Sequence, residues 1–405
     1  MDANMTDRKI LNEIGLTPVI NAIGYATPLG NSRQSAEVIA AVAEASANFI
    51  SMAQLQKKAS ERLAEITHAE AGYVVSGAAA GLTLATAATM TGLDPVRMNL
   101  LPETANGTPS TVVMHRSHRY DYDHAIRQAG ASLKEVGFPN LTFPYELEAA
   151  IDDETAAVFF RGDGSRNVVP FEQVIAIAHA HNVPVIVDAA LTVPPLKNLW
   201  YFTDAGADLV VFSGGKAIGG PPASGFVVGR SDLIASIALQ HQDMDVRLET
   251  WDPGTLASDQ VTNPPYQGIG RPMKVGKEQV VGLLVALDRY VKRNHEADLI
   301  SWRDRCQRIY QALAAAIENL EMTIEEGTFD TEIYVPQVYI NLGSPEQASE
   351  VSAALHGREP AVHCYEGSLW RGGLIISPTT IRLDEEETLI KALIEEIATV
   401  RSANR

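Results

Sequence analysis

Short runs rich in β-branched and apolar residues recur through the middle of the chain. They fall at Tyr73–Val75, Thr111–Met114, Ser132–Val136, Ala156–Phe160, Val183–Val187, Leu209–Phe212 and Gly225–Val228. Ala-rich stretches with helical spacing lie between several of them, as at Phe171–His181. Strands with so few polar positions, alternating with helices, predict a largely parallel sheet covered on both faces, spanning about Ala69 to Arg230. The polar, Pro- and Gly-rich stretch Trp251–Gly276 breaks this alternation. Beyond it the spacing predicts helices over Lys277–Arg293 and Asp298–Asn319, strands at Glu332–Asn341 and Gly373–Ser377, and a last helix over Asp384–Val400. Ala36–Ala47 is interrupted by Glu37, Glu44 and Ser46 and reads as an amphipathic helix. The expected organisation is therefore α/β: an N-terminal segment (1–60) without a strand series, packed on the main domain or on a partner subunit; a large domain (61–276); and a connecting helix with a smaller C-terminal α/β domain (277–405).

Charge and composition narrow the function. Fifty acidic against 32 basic residues give a formal net charge of −18, which disfavours nucleic-acid binding because phosphate neutralisation needs clustered Lys and Arg. The two cysteines, Cys306 and Cys364, supply neither a disulfide framework nor a four-ligand zinc site and fit a reducing compartment. The polar stretch Met1–Lys9 lacks a signal-peptide pattern, and no apolar run reaches membrane-spanning length. These features lead to the expectation of a cytoplasmic protein with no membrane partner.

Three strand ends carry candidate chemistry. Leu209-Val-Val-Phe-Ser213-Gly214-Gly215-Lys216 runs a buried strand into a small-residue turn that delivers a lysine, placed where α/β sheets bind ligands and able to form a Schiff base with an aldehyde. Alone, it also fits a surface lysine after a strand. Val183-Pro-Val-Ile-Val-Asp188 ends in an acid suited to a cationic pyridine nitrogen, or equally to a helix cap or turn. Tyr73-Val-Val-Ser76-Gly77-Ala78 leads into an Ala-rich helix whose first N–H groups can cradle a phosphate, although no Gly-Lys-Ser/Thr follows as in a Walker loop. The alternative is a plain strand-to-helix turn.

Taken in order (phosphate cradle, acid, lysine), these segments resemble the pyridoxal-phosphate enzymes of the aspartate-aminotransferase fold. Pro18-Val-Ile-Asn-Ala-Ile-Gly24, Val75-Ser-Gly-Ala-Ala-Ala80, Val187-Asp-Ala-Ala190, Phe212-Ser-Gly-Gly-Lys-Ala217 and Gly270-Arg-Pro-Met-Lys-Val-Gly-Lys277 are similar to the selenocysteine-synthase-like branch of fold type I, and within it to the D-glucosaminate-6-phosphate ammonia-lyase group. The resemblance implies pyridoxal 5'-phosphate as cofactor. It implies Lys216 as Schiff-base lysine and proton shuttle, and Asp188 on the pyridine nitrogen. Ser76, Gly77, Ala78 and Ser213 would hold the phosphate, and His118 or, second, His115 would lie on the ring. It places Arg382 on a substrate carboxylate, with Arg271 and Lys274 in a local basic island that also contains Lys277. Tyr25, Met52 and Trp370 are secondary pocket candidates. His115 and His118 lack the further ligands that a zinc site needs, so no metal is expected.

The implied activity is a lyase acting on a small amino acid or amino sugar acid by Cα deprotonation and β-elimination, with release of ammonia. The same Schiff base equally serves a racemase or epimerase, or an aldolase of β-hydroxy amino acids. A cofactor-binding or degenerate scaffold is the non-enzyme alternative. The acidic balance argues against a tRNA substrate, and the implied assembly is a homodimer or a larger symmetric oligomer.

Overall fold

The computed structural model describes residues 9–104, 107–164, 167–241, 249, 251, 261, 264–326 and 334–403. Its strands, numbered in chain order, are β1 (Ile20–Ala22), β2 (Ala71–Val75), β3 (Thr111–His115), β4 (Ser132–Val136), β5 (Thr155–Arg161), β6 (Val185–Asp188), β7 (Leu209–Ser213), β8 (Gly225–Gly229), β9 (Glu321–Glu325), β10 (Gln337–Asn341), β11 (Val362–Cys364) and β12 (Gly373–Ile376). The chain forms two compact units, residues 37–292 and residues 1–36 with 293–405. These boundaries differ from the expected ones at 60 and 276. The helices Met52–Thr67 and Lys277–Lys292 pack against each other inside the large unit, and Arg62 Nε bonds Asp288 Oδ1 at 2.6 Å between them.

In the large unit seven strands form one sheet in the order β2-β8-β7-β6-β5-β3-β4. All run parallel except β8, which is antiparallel to both of its neighbours. Strands β2, β6, β7 and β8 are buried along their whole length, which is why they read as unbroken apolar runs. The helix Ala78–Thr91 is apolar on nearly every side because it is enclosed between the sheet and the helix Ser231–His241. At the opposite end of the sheet from the site, the buried Asp208 accepts from Val185 N–H and pairs with His179 and Arg230, fixing the entry to β7.

The smaller unit holds a three-stranded antiparallel sheet, β12-β10-β9, and a separate parallel pair of β1 with β11 in which Ile20 faces Val362 and Ala22 faces Cys364. The sequence pattern does not predict β1, β9 or β11. Each is three to five residues long, and β9 is only half-buried, so none carries a clear apolar signature. Of the expected strand Glu332–Asn341, residues 332 and 333 lie outside the described residues, 334–336 are loop, and Gln337–Asn341 is β10. Cys306 and Cys364 are both fully buried, and burial pushes each thiol up to about 12, which makes them inert packing groups. No described helix is long and apolar enough to cross a membrane.

One charged cluster ties this unit together. Glu386, at the start of the final helix, is 6% exposed and accepts from Arg305 Nε (3.2 Å) and from Arg308 Nε and Nη2 (2.5 and 2.8 Å). Arg308 first, then Arg305, holds its carboxyl below the ordinary 4.5. A lowered carboxyl stabilises the fold above its unfolded pKa and loses that contribution as pH falls through the folded value. Glu386→Gln should therefore cost about 2 kcal/mol at pH 7, allowing for the exposure of Arg308. The difference from wild type should shrink below about pH 4.5, as urea denaturation at pH 7, 5 and 3.5 would show.

Candidate active site

The parallel strands deliver their side chains to one edge of the sheet. Arg161 ends β5, Asp188 ends β6, and β7 ends at Ser213 with Lys216 three residues on. Arg161 and Asp188 are direct partners across the sheet. Because β8 runs the other way, its first residue, Gly225, lies between Ser213 on one side and Val75 on the other. The register thus aligns Ser213 with the start of the Ser76–Gly77 turn, although these residues are far apart in sequence.

This alignment needs glycine at two points. Gly77 has φ +144°, which an L-residue with a side chain rarely adopts, and it starts the helix Ala78–Thr91. A side chain at Gly225 would meet the Gly77 carbonyl carbon at 2.8 Å and the Ala78 nitrogen at 2.9 Å. The absence of one lets β8 pass directly beneath the turn. The first-turn N–H groups of that helix have no intrahelical acceptors and carry the positive end of its dipole, so the turn is chemically suited to a phosphate.

Asp188 is 5% exposed. Its Oδ1 accepts Ala190 N–H at 2.9 Å and its Oδ2 accepts the Tyr120 hydroxyl. Burial raises the Asp188 carboxyl, while the Tyr120 and Ala190 hydrogen bonds and the Lys216 ammonium act against that rise. Lys216 is half-buried. Burial pushes its amine below the ordinary 10.5, opposed by the charges of Asp188 and Asp163. A carboxyl that burial raises and hydrogen-bond donors pull back down thus stands beside a lysine made easier to deprotonate, at adjacent strand ends. That donor set fits pyridoxal phosphate: a carboxylate for the ring nitrogen, an amine for the aldehyde, and a helix start with a serine for the phosphate.

The loop after β3 differs from expectation. His115 and His118 have no accessible surface, and their rings meet edge-on at 4.9 Å with Phe160 beside both. His118 Nδ1 accepts Arg161 N–H at 3.1 Å. Burial drives His115 down to about 3, so it stays neutral. A ring with no accessible face cannot lie on a ligand without moving, and here both imidazoles support the site from behind. The aromatic ring of this loop that reaches Asp188 is Tyr120. Sequence reasoning misses it because a tyrosine in a loop carries no periodic signal. It misses Arg161 and Asp163 as well: Arg161 lies over the Tyr120 ring at 4.8 Å and forms a two-point pair with Asp163, Nε–Oδ1 2.9 Å and Nη2–Oδ2 3.1 Å.

The remaining expected residues fall elsewhere. Arg271 is half-buried in the short turn Arg271–Met273, and Lys274 follows it exposed; Lys277 pairs with Glu278 at 2.6 Å. The turn is anchored through His241, whose Nε2 donates to Met273 O at 2.9 Å and whose Nδ1 accepts the Tyr73 hydroxyl at 3.1 Å. Arg382 belongs to the smaller unit, where Asp384 (2.8 Å) and Glu385 (3.4 Å) hold its guanidinium, so binding a substrate carboxylate there requires exchange of partners. Tyr25 is also in that unit, while Met52 and Trp370 are exposed.

A model of the SelA family, L-seryl-tRNA selenium transferase, matches residues 19–262, more than half of the chain. The chain is 33% identical to D-glucosaminate-6-phosphate ammonia lyase of Salmonella typhimurium, over 96% of this chain and 98% of that one. It is 30% identical to 5'-C-glycyluridine monooxygenase-decarboxylase of a Streptomyces species, over 94% and 90%. A solved D-glucosaminate-6-phosphate ammonia-lyase superposes with a TM-score of 0.77 at 32% identity, covering 98% of this chain and all of that one. A solved protein described as SPT with PLP shares the fold alone, with a TM-score of 0.56 at 16% identity, covering 95% and 88%. The chain therefore belongs to the selenocysteine-synthase-like family of fold-type-I pyridoxal-phosphate enzymes.

Proposed function

We propose that this chain is a pyridoxal-phosphate-dependent ammonia lyase acting on an amino sugar acid, with D-glucosaminate 6-phosphate as the first substrate to test. The observation that carries the reading is near-complete alignment with an ammonia lyase of that substrate, joined to a Lys–Asp pair at adjacent strand ends. When bound, the cofactor supplies an electron sink beside the substrate Cα. Asp188 would hold the ring nitrogen through its carboxylate, and Ser76, Gly77, Ala78 and Ser213 would hold the phosphate. Lys216 would attach the aldehyde and, once released, take the Cα proton on Nζ; burial suits it to that work by favouring the neutral amine. The substrate would then lose its Cβ hydroxyl as water, and hydrolysis of the resulting imine by a second water would release ammonia and the keto acid. Arg271, Lys274 and Arg382 would bind the anionic groups of the substrate.

The net charge of −18 favours a small molecule over tRNA. A homodimer or larger symmetric oligomer in the cytoplasm completes the reading. The exposed apolar side chains Ile39, Phe49, Ile50 and Met52, close together in sequence, support a covered face. A second reading, oxygen-dependent decarboxylation of an amino acid, is favoured by the similarity to the Streptomyces enzyme.

Purified protein supplied with pyridoxal phosphate should release ammonia and a keto acid from D-glucosaminate 6-phosphate. Inversion without ammonia would favour a racemase, an aldehyde product an aldolase, and oxygen consumption with carbon dioxide the second reading. The amine of Lys216 gives a separate prediction. Cofactor capture by cofactor-free protein should accelerate with pH and level off below 10.5, the ordinary lysine value, because burial brings its deprotonation to lower pH. Stopped-flow absorbance across pH 6–11 would check this.

A further inference from the structure

Asp188 is gripped from a loop that neither of its neighbouring strands supplies. The Tyr120 hydroxyl donates to Oδ2 while Ala190 N–H donates to Oδ1. Tyr120 is itself held on two sides: Phe159 lies nearly parallel to its ring at 6.2 Å, and the Arg161 guanidinium sits over it at 4.8 Å. Arg161 is fixed in turn by its two-point pair with Asp163 and, through its backbone N–H, by the buried His118. Such an arrangement leaves the phenol few other positions. A loop built only for packing would need no hydroxyl here, whereas a carboxylate that must remain an anion while buried gains from every donor aimed at it.

Resting on the cofactor assignment above, we propose that Tyr120 is a positioning residue that orients Asp188 and favours its anionic form, and that the Arg161–Asp163 pair with His118 locks Tyr120 in place for that task. The charged and titratable groups around Asp188 are Tyr120 on the β3 loop, Arg161 at the end of β5 and Asp163 after it, and Lys216 after β7, with neutral His115 and the buried His118 behind. Among these, the Tyr120 hydrogen bond is the largest influence lowering the carboxyl.

The test measures the pyridoxal phosphate dissociation constant from pH 5 to 9, by equilibrium dialysis, for wild type, Tyr120→Phe, Asp188→Asn and the double variant. The phenylalanine ring keeps the packing, and melting curves of the cofactor-free proteins check that the fold is intact. Without the hydroxyl, the acidic limb of cofactor affinity should move up by about one pH unit, since a hydrogen bond to a charged group is worth roughly that much. Tyr120→Phe should then bind about tenfold more weakly than wild type near the limb and almost equally above it. In the Asp188→Asn background the same change should leave the pH profile where it was, because the group through which Tyr120 acts no longer titrates. The proposal would be overturned by an equal loss at every pH, by superimposed curves for wild type and Tyr120→Phe, or by a pH shift that persists when Asp188→Asn is also present. A wild-type protein that takes up no cofactor overturns the cofactor reading as well, which separates the two failures.

Discussion

Lys216→Ala should fold as the wild type does and release ammonia at least about 10³-fold more slowly, the range expected when a positioned proton acceptor is lost. The fold should survive because the turn around this residue is held by backbone bonds, Gly219 N–H to Lys216 O at 2.9 Å and Gly220 N–H to Gly214 O at 2.8 Å, which need no side chain. The half-buried amine is also stripped of part of its hydration, so its removal relieves a cost as well as an attraction. The variant should therefore melt close to wild type while losing turnover. Ammonia release measured alongside thermal melting separates these effects, and a variant within tenfold of wild-type turnover would remove Lys216 from the chemistry.

Asp188→Ala should weaken both cofactor retention and turnover by roughly 10²–10⁴-fold, since removing the buried partner of a charged group costs about 3–5 kcal/mol and Asp188 would be the partner of the cofactor's ring nitrogen. The substitution leaves the Tyr120 hydroxyl without its acceptor and the Lys216 ammonium without the anion that most favours it. The second consequence has a definite sign. Asp188 raises the proton affinity of Lys216, so its removal should move cofactor capture by the lysine to lower pH even as affinity falls. Asp188→Asn restores hydrogen bonding without charge and should recover little of either loss. Full recovery by the asparagine variant would mean that shape, not charge, matters at this position. Cofactor dissociation constants and capture rates against pH report the two effects independently.

The chemistry that can be read from the sequence is the chemistry that sits at strand ends. Asp188 and Lys216 follow apolar runs whose burial forces a sharp contrast in composition, and the Ser76–Gly77 turn stands out for the same reason. Six of the seven strands of the large sheet are legible on the same ground, to within a residue or two at each end; the edge strand β4 is polar and only its last residue is buried. Tyr120, Arg161 and Asp163 are not legible, because each is an ordinary loop or strand-end residue until the sheet order β6-β5-β3 gathers the ends of these strands around Asp188. His118 draws attention by its residue type, yet its surroundings place it behind the site. The smaller unit is less readable: β1 and β11 are three residues each and owe their existence to one another, a pairing that no local pattern announces. The helix Lys277–Lys292 has a strong helical pattern, but its membership of the large unit depends on the helix Met52–Thr67, more than 200 residues earlier.

The pairing of β1 with β11 also bears on how the chain is made. Residues 37–292 are continuous, so the large unit can complete itself while synthesis is still in progress. The smaller unit is discontinuous: Ile20 emerges from the ribosome well before its partner and finds Val362 only after the whole of the large unit between them has been translated. During that interval β1 is an apolar segment without its partner, the kind of exposed edge that invites mispairing and chaperone binding. Biogenesis of this protein thus has a built-in order, with the large unit assembled before β1 is captured.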